Sequence, residues 1–138
     1  MIKLIVGTKG SGKTKTLVSQ ANAAGESSKG NVVFVEKGMQ LQYNLATSVR
    51  LVNTEEYEIS GFEKFTGFLS GILAGNYDIT HLFVDGTFKI GGKEKNYEGL
   101  CNMILHLAKV APKDTELVFS ISCSEEDLPE AIRPFVVK

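Results

Sequence analysis

Gly7-Thr8-Lys9-Gly10-Ser11-Gly12-Lys13-Thr14 satisfies G-x-x-x-x-G-K-[ST] at every position, and no other stretch narrows the folds open to this chain so far. Glycines at this spacing let the backbone curl until successive N–H groups point inward as an anion nest. A helix that starts directly after the loop adds the positive end of its dipole to the same point. The motif needs a strand before it and a helix after it, and both are written in the sequence. Ile2, Leu4, Ile5 and Val6 form a short apolar, β-branched run upstream, while Leu17, Val18, Ala21 and Ala24 recur at helical spacing downstream. A glycine-rich turn that matched by chance would lack this order. The stretch therefore reads as a phosphate-binding loop. Lys13 is expected on the β- and γ-phosphates and the Thr14 hydroxyl on Mg²⁺, with Gly7 to Thr14 and Lys15 as candidate nucleotide contacts. The deviant loop with an extra lysine five residues before the invariant one is excluded. Thr8 occupies that position and Lys9 comes one residue too late.

The rest of the chain alternates strand and helix signals. Val32-Val33-Phe34-Val35 is a buried strand ending on Glu36, and Val49-Arg50-Leu51-Val52 is a third strand that delivers Asn53-Thr54-Glu55-Glu56 to its carboxyl end. Residues 37–48 are ambiguous, because Met39, Leu41, Tyr43 and Leu45 alternate as in a strand while a short helix fits equally well. Ser60-Gly61-Phe62-Glu63 fits a capping box with Ser60 as N-cap. The stripe Phe62, Phe65, Leu69, Ile72 and Leu73 then predicts a core-facing helix ending near Gly75. His81-Leu82-Phe83-Val84 predicts a fourth strand, followed by a flexible loop containing Gly86, Gly91 and Gly92. Tyr97, Leu100, Cys101, Ile104, Leu107, Ala108 and Ala111 mark an amphipathic helix stopped by Pro112. Leu117 to Ile121 is the last strand, with a short helix expected around 128–136. This alternation predicts an α/β three-layer sandwich over 1–138, one domain, with a mainly parallel sheet of about five strands.

Leu82-Phe83-Val84-Asp85 has the form of a Walker B strand, whose terminal aspartate serves Mg²⁺. Thr14 and Asp85 are thus the candidate metal residues. Many ATPases place a glutamate directly after this aspartate to polarise the attacking water, and here the position is Gly86. A replacement carboxylate must come from another strand end, since ligands of open α/β sheets bind beyond the carboxyl ends of the strands. Glu36, Glu55 and Glu56 qualify by position, and Glu36 and Glu55 join Lys13 as the catalytic candidates. Ser122, just past the last strand, is a candidate γ-phosphate sensor, although a loop serine is the plainer reading. GTPase signatures are missing: Phe88 stands where a switch glycine would, and no N-K-x-D follows.

Composition excludes several classes. Net charge is −1, and Arg50 and Arg133 are the only arginines, which argues against a nucleic-acid surface and leaves two candidates for an arginine finger. Cys101 and Cys123 form no metal or C-x-x-C pattern and read as reduced thiols of a cytoplasmic protein. No apolar run approaches the length of a membrane span, and no signal peptide is expected.

The P-loop, Asn53-Thr54-Glu55-Glu56-Tyr57, the run Gly71-Ile72-Leu73-Ala74-Gly75-Asn76-Tyr77-Asp78-Ile79-Thr80 and Phe83-Val84-Asp85 together resemble small stand-alone bacterial P-loop proteins, some loosely labelled twitching-motility (PilT-like). The chain departs from the pilus-retraction ATPases themselves, which are larger and carry several arginines around the nucleotide. The resemblance implies the P-loop NTPase superfamily, nucleotide binding and a compact α/β fold. Three functions are open at this point. One is binding of ATP, with Mg²⁺, and slow or partner-activated hydrolysis, the partner being another protein or a second copy of the chain. The others are a small-molecule or nucleoside kinase, and a non-hydrolysing nucleotide-dependent switch.

Overall fold

Strands β1 (Ile2–Gly7), β2 (Asn31–Glu36), β3 (Val49–Asn53), β4 (Ile79–Val84) and β5 (Glu116–Ser122) are largely apolar, and β2, β4 and β5 are buried on both faces, a pattern stable only with helices on either side. In the computed structural model, which describes residues 1–138, they form one sheet, entirely parallel, in the order β1-β5-β4-β2-β3. Val33, Val35, Leu82, Val84, Leu117, Phe119 and Ile121 face helices α2 (Phe62–Gly75) and α4 (Tyr97–Val110), a one-turn helix α3 (Thr87–Ile90) and the 3-10 turn Glu130–Phe135. Val32, Phe34, Phe83 and Val118 point the other way, onto Leu17, Ala21 and Ala24 of helix α1 (Lys13–Ser27). The result is the three-layer α/β sandwich of P-loop NTPase type that the alternation predicts.

The two faces are unequal. The α2/α4 side holds 23 buried apolar residues and the α1 side 8, so the larger core lies away from the helix that follows the P-loop. Each fully buried Leu, Ile or Phe is worth about 1.5–3 kcal/mol of apolar transfer, so α2 and α4 carry most of the burial. This leaves α1 to be fixed mainly by its first turn and by Leu17 and Ala21. No helix is long and apolar enough to cross a membrane.

Three local expectations are revised. Residues 38–45 are a chain of turns, neither strand nor helix, because side chains from elsewhere hold their backbone. The Asn22 amide donates to the Asn44 carbonyl at 3.0 Å and accepts from Ala46 N at 2.8 Å, and Gly38 N donates to Asn53 Oδ1 at 2.7 Å. Ser60 does not cap α2. Gly61 is the N-cap with φ 91°, and its N–H is committed to the Ile90 carbonyl at 2.9 Å, which removes Ser60 from capping position. The segment after Gly86 is ordered as α3, since Thr87, Phe88 and Ile90 are buried and Phe88 packs edge-on against Phe62 and Tyr97. The short helix expected near 128–136 is present as a 3-10 helix, Glu130–Phe135, with Pro134 inside it.

At the opposite end of the sheet from the P-loop, Glu116 accepts from Lys3 Nζ at 2.9 Å and lies 3.5 Å from His81 Nε2. The Lys3 hydrogen bond holds its carboxyl below the usual range, with burial opposing and the charges of Lys3, His81 and the N-terminus assisting. A depressed carboxylate contributes stability that is present above its unfolded value, about 4.3, and lost as pH falls through the folded one. Glu116→Gln should therefore lower stability at pH 7, by no more than the roughly 1 kcal/mol of a partly exposed pair. Thermal melts across pH should show the gap to wild type closing below about pH 4.3; a gap that persists at pH 3 would assign the loss to packing.

Candidate functional site

β1 leaves the sheet at Gly7, whose in-register neighbour on β5 is Ser122. Thr8 to Gly12 then turn back towards α1, with Ser11 N donating to the Thr8 carbonyl at 3.1 Å. Gly12 is the helix N-cap in the left-handed region (φ 89°, ψ 14°), a conformation that leaves the first-turn amides facing outward and suits glycine alone. No side chain caps this end, and no acid occupies the first turn, so any negative partner of its positive potential must come from outside the helix. Lys13 is 8% exposed and folds over the loop, donating from Nζ to the Thr8 carbonyl at 2.9 Å and to Ser11 Oγ at 3.3 Å. Burial holds its ammonium below the ordinary lysine range, opposed by the nearby charge of Asp85.

Asp85 stands one residue past β4 and is still tied to the sheet, its N–H donating to the Val35 carbonyl at 3.0 Å. Its carboxylate accepts from Thr14 Oγ1 at 3.1 and 3.0 Å, and Oδ1 accepts from Ser120 Oγ at 2.7 Å. Ser120 Oγ accepts in turn from Gly86 N at 2.9 Å. The two candidate metal residues, 71 positions apart, are thus brought into direct contact. Both offer hard oxygen atoms, the chemistry Mg²⁺ prefers, and no cluster of three His, Cys, Asp or Glu exists that would form an all-protein cage. Ser120 was not singled out by sequence reasoning, which weighed Ser122. Its signal is a lone hydroxyl in the buried run Leu117-Val118-Phe119-Ser120-Ile121.

Glu36 ends β2 beside Asp85, since Val35 pairs with Val84 one residue earlier. It is 5% exposed, and Oε2 accepts from Leu41 N at 3.2 Å. Burial pushes its carboxyl above the usual range and the Asp85 charge adds to this, while the Leu41 hydrogen bond and the Lys89 charge oppose it. Glu55 and Glu56 are exposed in the 3-10 turn Thr54–Tyr57, beyond the edge strand β3.

Above this row of strand ends lies a cavity of about 940 Å³. The P-loop residues Lys9, Gly10, Gly12, Lys13 and Thr14 and the first-turn Lys15 form one wall, and Asp85 to Lys95 the other, with Gly86, Phe88, Lys89, Gly92 and Lys93 between. Ser120 and Ser122 lie at the base, and Val18, Leu41 and Asn44 make a partly apolar shelf beside α1. Six lysines (9, 13, 15, 89, 93 and 95) line it against two acids, Asp85 and Glu94, in a chain whose net charge is −1. Gly7, Thr8, Ser11, Glu36 and Glu55 stand outside this lining. The arrangement can hold a polyanion next to a hard cation, with a buried carboxylate one strand away.

Gly86, where a water-polarising glutamate is usual, sits at φ 64°, ψ 48°, and a Cβ there would meet Lys89 Cδ at 3.3 Å. A left-handed L-residue costs about 1–2 kcal/mol, so Gly86→Glu should destabilise the protein by about that amount in chemical denaturation. An unaltered denaturation midpoint would show that the turn accepts a side chain.

No protein-family model matches the sequence, and no curated protein is significantly similar to it. Among solved structures, the chain is similar to the flagellar accessory protein FlaH from Methanocaldococcus jannaschii, with a TM-score of 0.58 at 12% identity. The match covers 95% of this chain and 64% of that one, so the chain spans less than two thirds of its structural neighbour. At this identity the likeness is one of fold, and the fold they share is the P-loop NTPase-like α/β sandwich.

Proposed function

We propose that the chain is a single P-loop domain that binds ATP with Mg²⁺ and hydrolyses it slowly, alone or under the influence of a partner. The observation that carries this reading is the contact between the Thr14 hydroxyl and the Asp85 carboxylate at 3.0 Å, beside Lys13 in one cavity. A helix start with no cap and no acid, followed by a hydroxyl held against a carboxylate from a distant strand, suits a triphosphate and its counter-ion. Thr14 and Asp85 would hold Mg²⁺, with phosphate oxygens and water completing its shell. The ion would neutralise charge on the β- and γ-phosphates.

The chain's own groups divide the remaining work. First-turn amides donate to the phosphate oxygens, and Lys13 exchanges Thr8 O and Ser11 Oγ for phosphate oxygens. A water oxygen bonds to the γ-phosphorus as the bond from the bridging oxygen breaks. The electron pair of that bond stays with ADP, and a proton of the water passes to Glu36. A raised carboxyl value suits such a base, and the Leu41 amide must release the carboxylate before it acts. That engagement supports a rate well below the roughly 10 per second of ordinary enzymes.

Titration calorimetry with ATP, with and without Mg²⁺, tests the binding site. Lys13→Ala should cost at least about tenfold in affinity, since hydrogen bonds to charged groups are worth about 1.5–3 kcal/mol. Asp85→Asn should weaken binding much more when Mg²⁺ is present than when it is absent, and equal weakening in both conditions would remove Asp85 from the metal site. For the base, Glu36→Gln should slow single-turnover hydrolysis by about 10²-fold with ATP affinity held, as expected of a general base. Glu55→Gln provides the comparison. A Glu36→Gln rate equal to wild type would end the assignment.

A further inference from the structure

Neither arginine reaches the cavity. Arg133 spends Nε and Nη2 on the carbonyls of Leu128 and Glu126, and Arg50 lies on the edge strand β3. Any cation that offsets charge on a transferred phosphoryl group from within this chain must therefore be a lysine. The three ion pairs of the molecule, Lys3–Glu116, His81–Glu116 and Lys138–Glu125, leave all six cavity lysines without a carboxylate.

Lys95 is the one among them on the opposite wall whose head group is held in place, against the end of β5. It directly precedes Asn96, the N-cap of α4, whose Oδ1 accepts from Gly99 N at 2.8 Å, so its backbone is anchored. Its Nζ donates to the Ser122 carbonyl at 2.5 Å and lies 5.7 Å from the centre of the Phe88 ring. Ser122 is the in-register partner of Gly7, so this ammonium is held on the strand end adjacent to the start of the loop, while that of Lys13 rests on Thr8. Lys95 also contributes, behind burial, to holding the Lys13 ammonium below its ordinary range. An ammonium has three donors, and here one carbonyl accepts. The remaining donors have no protein acceptor.

We infer that Lys95 is a second phosphate-contacting lysine, supplied in cis, which moves from the Ser122 carbonyl onto the γ-phosphoryl oxygens as charge spreads over them. The inference rests on the nucleotide reading above. It gives the charge-stabilising part, elsewhere supplied by an arginine finger, to a residue of the same chain. In the balanced step, water adds to the γ-phosphorus, its proton goes to Glu36, and ADP departs with the electron pair of the broken bond. Lys95 neither gains nor loses a proton and acts by position and charge alone.

The test compares wild type, Lys95→Met and Lys95→Arg in binding MgADP, in binding MgADP with aluminium fluoride as a mimic of the transferred group, and in single-turnover hydrolysis of MgATP. Lys95→Met should keep MgADP affinity within about twofold while aluminium fluoride binding and turnover fall together by about 10²–10³-fold. Lys95→Arg should restore most of both. A structural lysine that merely ties Ser122 would behave differently: Lys95→Met would lower thermal stability and MgADP affinity with the preference for aluminium fluoride unchanged, and that result overturns the inference. Equal turnover in wild type and Lys95→Met overturns it as well. Wild-type protein that binds no MgADP would instead defeat the nucleotide reading, and the role of Lys95 with it.

Discussion

A half-buried carboxylate that accepts from two hydroxyls is the constraint on which the rest of the site depends. Asp85 draws Thr14 from the first turn of α1 and Ser120 from β5 onto one pair of oxygens, and Ser120 in turn accepts from Gly86 N. Three separate stretches of chain are thereby locked at the carboxyl edge of the sheet. The lock matters because α1 has little else to hold it: its side of the sheet contributes 8 core residues against 23 on the other. A helix seated on so small an apolar patch owes its exact placement to the polar contacts of its first turn. The P-loop therefore takes its position from Asp85 as much as from its own glycines.

The parts of this arrangement that were readable in the sequence are those that depend on neighbours along the chain. The P-loop is legible because nest, lysine and hydroxyl follow one another at fixed spacing, and the strands are legible because both faces are buried in continuous apolar runs. Asp85 was reachable for the same reason, as the polar end of such a run. Ser120 was not, because its meaning depends on β5 lying between β1 and β4, and strand order leaves no mark on local pattern. Glu36 and Glu55 look equivalent as strand-end acids. They separate only when β2 proves to be the neighbour of β4 and β3 the edge.

Where local reasoning failed, a distant partner had taken over a backbone group. The Ser60 capping box is locally well formed, yet the Gly61 amide goes to Ile90, which belongs to a different part of the chain. Residues 37–48 alternate in hydrophobicity, but Asn22, Glu36 and Asn53 supply hydrogen bonds that a strand would have had to find along an edge. The loop after Gly86 looked flexible by its glycines and is ordered by Phe88, whose ring meets Phe62 and Tyr97. In each case a tertiary contact outweighed a local preference of comparable or smaller size.

The left-handed turn at Gly86 also bears on descent. In a chain of this geometry the glutamate that many ATPases carry after the Walker B aspartate is separated from glycine by a backbone conformation as well as by a codon. Acquiring it in this turn carries the roughly 1–2 kcal/mol of a left-handed L-residue together with a small shift of the Lys89 stem. A prior change that flattened the turn would remove most of that cost, so the effect of the glutamate depends on what else the chain carries, which is epistasis. Under that constraint the accessible route to a water-positioning carboxylate runs through residues already in ordinary backbone conformations at neighbouring strand ends.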